Sequence, residues 1–108
     1  MNVKKTSLTG VYVLNLDKFE DERGFFSRKY CKKILKKSQI NFDIKQVNYA
    51  FNKKKYTLRG FHYQIKPYSE KKIMTCLTGS FLLYIVDIDK NSNTYKKKNK
   101  NFNVTKKK

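Results

Sequence analysis

The apolar residues of this chain come in short runs rich in Val, Ile, Tyr and Phe, and none is longer than Phe81 to Val86. A run that short cannot cross a bilayer as a helix. β-Branched and aromatic residues suit a pleated, half-buried surface. Thr9 to Leu16, Phe25-Phe26, Phe42 to Phe51, Tyr56 to Gln64, Lys72 to Leu77 and Ser80 to Ile88 therefore read as strands. Polar stretches at 17–24, 52–55 and 67–71 read as turns, and Thr78-Gly79 as a hairpin turn joining the last two strands. One stretch breaks the pattern. Tyr30, Cys31, Ile34 and Leu35 recur at helical spacing with Lys32, Lys33, Lys36 and Lys37 between them, which predicts a short amphipathic helix over about 29–38. Short strands at close spacing with one minor helix predict an all-β fold, an antiparallel sandwich or barrel.

A length of 108 residues suits one small domain, 1–108, with a modest core. Residues 90–108 form a Lys/Asn-rich terminal segment, either a solvated tail or, over Tyr95 to Val104, a weak edge strand that lysines protect from aggregation. Eight Phe and eight Tyr argue against wholesale disorder. The net charge is +18, from 26 basic and 8 acidic residues. Taken bluntly, that suits nucleic acid or an anionic membrane. However, only Arg23, Arg28 and Arg59 are arginines, and nucleic-acid grooves favour the planar, bidentate guanidinium. Lysine drift at tolerant surface positions is the better reading, and a nucleic-acid partner is not expected. Cys31 and Cys76 make no disulfide framework, and with a single His62 they make no zinc set, so free thiols and no metal are expected. No apolar stretch follows Met1, so a cytoplasmic protein without membrane attachment is expected.

His62 is the first candidate for chemistry, since a neutral imidazole suits the removal of a proton from a carbon acid near neutral pH. Taken alone it is better explained as a packed strand histidine, and its context is what changes that. Arg59 lies three positions before it, and strict alternation would send the two to opposite faces. Gly60 lies between them, where a bulge is cheap and re-aims a side chain. A guanidinium beside a base suits an anionic substrate, with Arg59 holding the anion. Lys72 opens the next predicted strand, where an ammonium can stabilise an enolate oxygen. Gln46 and Asn48 share a face and can hydrogen-bond a neutral sugar or base edge. Arg23 sits at a turn, placed to clamp phosphate.

The order of these pieces, DERGFF, QVN, LRGFHYQ, PYSEKKI and then GSFLLYIVDI, resembles the dTDP-4-dehydrorhamnose 3,5-epimerase family from about Gly10 to Lys108. The resemblance implies a cupin-type antiparallel jelly roll, a homodimer, and no metal or organic cofactor. It implies epimerisation of dTDP-4-dehydro-6-deoxy-glucose at C3 and C5, on the route to dTDP-L-rhamnose for cell-surface polysaccharide. By the same resemblance His62 is the proton acceptor beside the C4 ketone and Lys72 the enolate stabiliser. Arg23 and Arg59 bind the diphosphate, and Gln46 and Asn48 bind substrate.

Two departures stand out. Arg28 replaces the family's Glu after the DxRGxF motif, a cation for an acceptor. The family also continues beyond the Val104-Thr105-Lys106 region with further strands, a general-acid Tyr and an Asp that pairs with the catalytic His; Tyr63, Tyr68 and Tyr84 do not match that Tyr position. The 108 residues thus read as the N-terminal part of an epimerase domain, an incomplete jelly roll. They are expected to have low stability and little activity, or to persist as a remnant that at most binds sugar nucleotide.

Overall fold

The computed structural model describes residues 1–98 and 102–105. Its elements in chain order are β1 (Asn2–Lys5), β2 (Tyr12–Asn15), β3 (Phe19–Asp21), β4 (Gly24–Phe26), α1 (Lys32–Lys37), β5 (Ser80–Leu83) and β6 (Phe102–Thr105). The strands pair antiparallel as β1–β2, β3–β4 and β5–β6. The expected all-β architecture with one short helix is what forms.

The N-terminal hairpin pairs Val3 with Leu14 and Lys5 with Tyr12. β1 is too polar to stand out in the sequence, and its place is set by β2. The connection is organised by Thr6, whose hydroxyl accepts from the Leu8 amide at 3.2 Å and reaches the Val11 carbonyl at 3.0 Å. Leu8 is buried beneath it. The second hairpin runs from Phe19 to Phe26, so its first strand and its loop fall in the stretch that the sequence reads as turn, while Phe25-Phe26 is the strand expected there. Its Asp21 pairs with Gly24, leaving a two-residue loop of Glu22 and Arg23. Gly24 has φ of 127°, which a residue with a Cβ rarely adopts.

The helix falls inside the predicted 29–38. Lys36 and Lys37 occupy its last turn, where cations offset the C-terminal dipole. It ends in a Schellman motif: the Gln39 amide donates to the Lys36 carbonyl at 3.0 Å and the Ile40 amide to the Leu35 carbonyl at 2.9 Å. Leu35 points inward at 1% exposure. The chain beyond the helix is held to it at two points. The Tyr30 hydroxyl donates to the Phe42 carbonyl at 2.9 Å, and Lys32 pairs with Asp43 at 2.6 Å.

No strand forms over 42–51, 56–64 or 72–77, and Thr78-Gly79 closes no hairpin. The alternation of those segments favours an extended chain, but a strand also needs a neighbour's N–H and C=O groups. Among the described residues none is paired along them. Their side chains are correspondingly uncovered. Val47 is 82% and Leu58 89% exposed, while the buried apolar residues among those described are Leu8, Leu35 and Cys76. Cys31 and Cys76 are free thiols, as expected.

Ser80–Leu83 is the first half of the predicted strand Ser80 to Ile88, and β6 overlaps the end of the Tyr95 to Val104 stretch read as a weak edge strand. Phe81 opposes Val104 and Leu83 opposes Phe102. Just past β5, the Asp87 carboxylate accepts from the Ser92 hydroxyl at 2.5 Å and the Thr94 hydroxyl at 2.6 Å. These two bonds, Ser92 first, hold the Asp87 carboxyl below its ordinary value. A depressed carboxyl stabilises the fold above its unfolded value, near pH 4, and loses that contribution as the pH falls through the lower folded value. Acidification below about pH 4 is therefore expected to loosen the 87–96 turn. The Thr94 amide resonance reports it, and Asp87→Asn should abolish the titration.

No helix among the described residues is long and apolar enough to cross a membrane.

Candidate active site

His62 sits on an extended segment that turns at Gly60, whose φ is 117°. The sequence predicts a bulge within a ladder at Gly60. No ladder runs here, and the turn comes instead from the glycine's own backbone. The imidazole folds back over it: a Cβ built on Gly60 would stand 3.5 Å from the His62 amide nitrogen and 3.6 Å from Nδ1. There is room for a methyl group, so the cost of adding one lies in the backbone angle. Gly60→Ala is expected to cost about 1–3 kcal/mol and to re-aim the ring. The His62 ring resonances should move while the Leu35 methyls stay in place.

His62 and Lys72 line one open cavity of about 350 Å³, together with Phe61, Tyr63, Gln64 and Glu70. Lys72 Nζ pairs with Glu70 Oε1 at 2.6 Å. That contact occupies one of the ammonium's three donors and leaves the others for a ligand oxygen. Glu70 stands two residues before Lys72 and carries no signal of its own in the sequence; the fold shows that the two meet.

The other predicted site residues are placed outside that lining. Arg59 donates from Nε to Asn52 Oδ1 at 2.7 Å and from Nη2 to the Phe51 carbonyl at 3.5 Å. Asn52 lies in a stretch whose composition predicts a turn, and nothing in its spacing marks it as a partner for Arg59. Gln46 and Asn48 do come together, with Gln46 Nε2 donating to Asn48 Oδ1 at 3.1 Å. Arg23 projects from the β3–β4 loop. Its Nη2 donates to Asp21 Oδ2 at 2.6 Å, and the same carboxylate accepts from the Arg23 amide at 2.9 Å. The guanidinium holds the Asp21 carboxyl below its ordinary value, and Asp21 in turn raises Arg23. Arg23 thus stays charged while presenting its free edge to solvent.

Chemically, the cavity joins a base to a cation that can receive negative charge on oxygen. Two further guanidinium groups lie on separate loops. Among the described residues no three His, Cys, Asp or Glu side chains are grouped to hold a metal ion.

A family model for dTDP-4-dehydrorhamnose 3,5-epimerase matches residues 5–107. The dTDP-4-dehydrorhamnose 3,5-epimerase of Shigella flexneri is 36% identical over 98 residues, taking in 90% of this chain and 54% of that protein. The one from Sinorhizobium fredii is 30% identical over 97 residues, with 90% and 50% covered. The crystal structure of the Bacillus anthracis dTDP-4-dehydrorhamnose 3,5-epimerase, with TDP and PPi bound, superposes with a TM-score of 0.89 at 30% identity. It covers 96% of this chain and 59% of that one. The strand content and the likeness to that structure together define an all-β protein of the cupin type. Within that class, the chain belongs to the dTDP-4-dehydrorhamnose 3,5-epimerase family. It spans about half the length of the curated relatives it matches.

Proposed function

We propose that this chain carries the proton-abstracting side of a sugar-nucleotide 3,5-epimerase site. The observation that supports the reading is the single cavity lined by both His62 and Lys72. In this reading His62 takes the proton from C3 or C5 of dTDP-4-dehydro-6-deoxy-glucose, beside the C4 ketone. The electron pair of the broken C–H bond moves onto the carbonyl oxygen, and the ammonium of Lys72 stabilises the enolate. Reprotonation from the opposite face inverts the centre. Arg23 and Arg59 hold the diphosphate, and Gln46 and Asn48 hydrogen-bond the sugar nucleotide. The TDP and PPi bound to the Bacillus anthracis relative support a thymidine diphosphate ligand. With this chemistry go dTDP-L-rhamnose formation for cell-surface polysaccharide, a cytoplasmic setting and a homodimer.

The experiment is solvent exchange. The chain is incubated with the keto sugar nucleotide in deuterated water, and the C3 and C5 protons are followed by NMR. Deuterium uptake above the buffer rate supports the reading, and its absence counts against it. A second reading is favoured by the coverage of about half the relatives' length: a sugar-nucleotide binder without turnover. It predicts dTDP binding with no exchange. A nucleic-acid role would instead show tight binding that falls steeply with salt.

A further inference from the structure

The turn after the His62 segment decides which side chains face the imidazole. The Tyr68 amide donates to the Ile65 carbonyl at 2.8 Å, and beyond this turn Glu70 and Lys72 line the same cavity as Phe61 to Gln64. Lys71, between them, is not part of that lining. Its ammonium donates to the Asn41 carbonyl at 2.7 Å, which ties the segment to the chain that follows α1.

A lysine side chain carries a strongly hydrated head on a flexible four-carbon stem, and left alone it spreads over many rotamers. Lys72 Nζ is instead held by Glu70 Oε1 at 2.6 Å. Both side chains are about half exposed, so the pair adds little to stability. Its effect is on where the charge sits. Among the described residues lining the cavity, Glu70 is the one carboxylate. We propose that Glu70 is a positioning residue, which holds the Lys72 ammonium at the wall of the His62 cavity to receive negative charge on a ligand's carbonyl oxygen.

Two properties of the pair suit that task. A cation fixed before the ligand arrives needs no reorganisation as charge develops on the oxygen. The fields of the two charges also largely cancel at a distance, so the pair does not collect free anions. An oxygen within hydrogen-bond reach still meets the ammonium directly. The use made of the ammonium rests on the epimerase reading above; its pairing with Glu70 does not.

The first measurement therefore contains no sugar nucleotide. The full chain and Glu70→Gln are treated with a limiting amount of acetic anhydride, and acetylation at each lysine is followed by mass spectrometry. Lys72 is expected to react several-fold faster in the variant, with Lys45 and Lys66 unchanged. An unchanged rate at Lys72 overturns the proposal. The second measurement is deuterium uptake from solvent at saturating keto sugar nucleotide. Glu70→Gln is expected to lower it by about tenfold to a hundredfold. The concentration for half-maximal uptake should stay the same, and Glu70→Asp should recover most of the rate. In a Lys72→Ala background, Glu70→Gln should cost nothing further, because it acts through that side chain. Parental uptake in Glu70→Gln, or an equal loss with Lys72 already removed, overturns the proposal. Absence of uptake in the parent chain overturns the epimerase reading instead, and the acetylation rates then decide alone whether Glu70 positions Lys72.

Discussion

Replacing His62 with alanine is expected to reduce deuterium uptake at C3 and C5 of the keto sugar nucleotide by about 10²–10⁴-fold. The loss is large because His62 is the single imidazole in the sequence. The other titratable groups lining its cavity, Tyr63, Glu70 and Lys72, are differently placed: Glu70 is engaged with Lys72. Affinity for dTDP should change little, since the proposed diphosphate contacts come from Arg23 and Arg59 on other loops. Lys72→Ala should give a fall of about 10²–10³-fold, again with dTDP affinity nearly intact. If His62→Ala exchanges at the unmutated rate, the base lies elsewhere and the proposed chemistry fails.

The second large effect is on stability. Leu35 is the largest fully buried side chain among the described residues, at 1% exposure. Truncating a buried leucine to alanine costs about 2–5 kcal/mol, against a total of about 5–15 kcal/mol for an ordinary domain. Here Leu8 and Cys76 are the other buried apolar residues among those described, so few neighbours can compensate. Leu35→Ala is expected to leave most of the chain unfolded at room temperature by circular dichroism and urea titration. Leu35→Met, which roughly keeps the volume, should cost less than about 1.5 kcal/mol. If Leu35→Ala melts like the parent, the helix does not anchor the fold.

How much of this was legible in the residues depends on where each element finds its partner. The helix was readable because its hydrogen bonds are internal and its apolar face, centred on Leu35, is written in the spacing. Ser80 to Leu83 was readable as an apolar alternating run. β1 was not, because Asn2, Lys4 and Lys5 carry no strand signal and only pairing with β2 brings them into a sheet. The opposite error came at 42–51, 56–64 and 72–77. There the alternation gave the extended path, but pairing is a property of two segments and alternation describes only one. The site divides in the same way. His62 and Lys72 stand out as candidates by residue type and order, and they line one cavity. Arg59 was expected beside His62; its guanidinium is instead bonded to Asn52 and Phe51. Asp21, Asn52 and Glu70 gained their roles only from geometry.

The amide of Thr9 donates to the hydroxyl of Thr94, a bond between residues 85 apart. Closing so long a loop costs far more chain entropy than closing the two-residue turn of β3–β4 or the short one after β1. The route to the native state is therefore ordered by loop length. The N-terminal hairpins and the helix close short loops, and the clasp between the first turn and the Asp87 turn is expected among the last contacts to form, which pulse-labelled hydrogen exchange at the Thr9 amide checks.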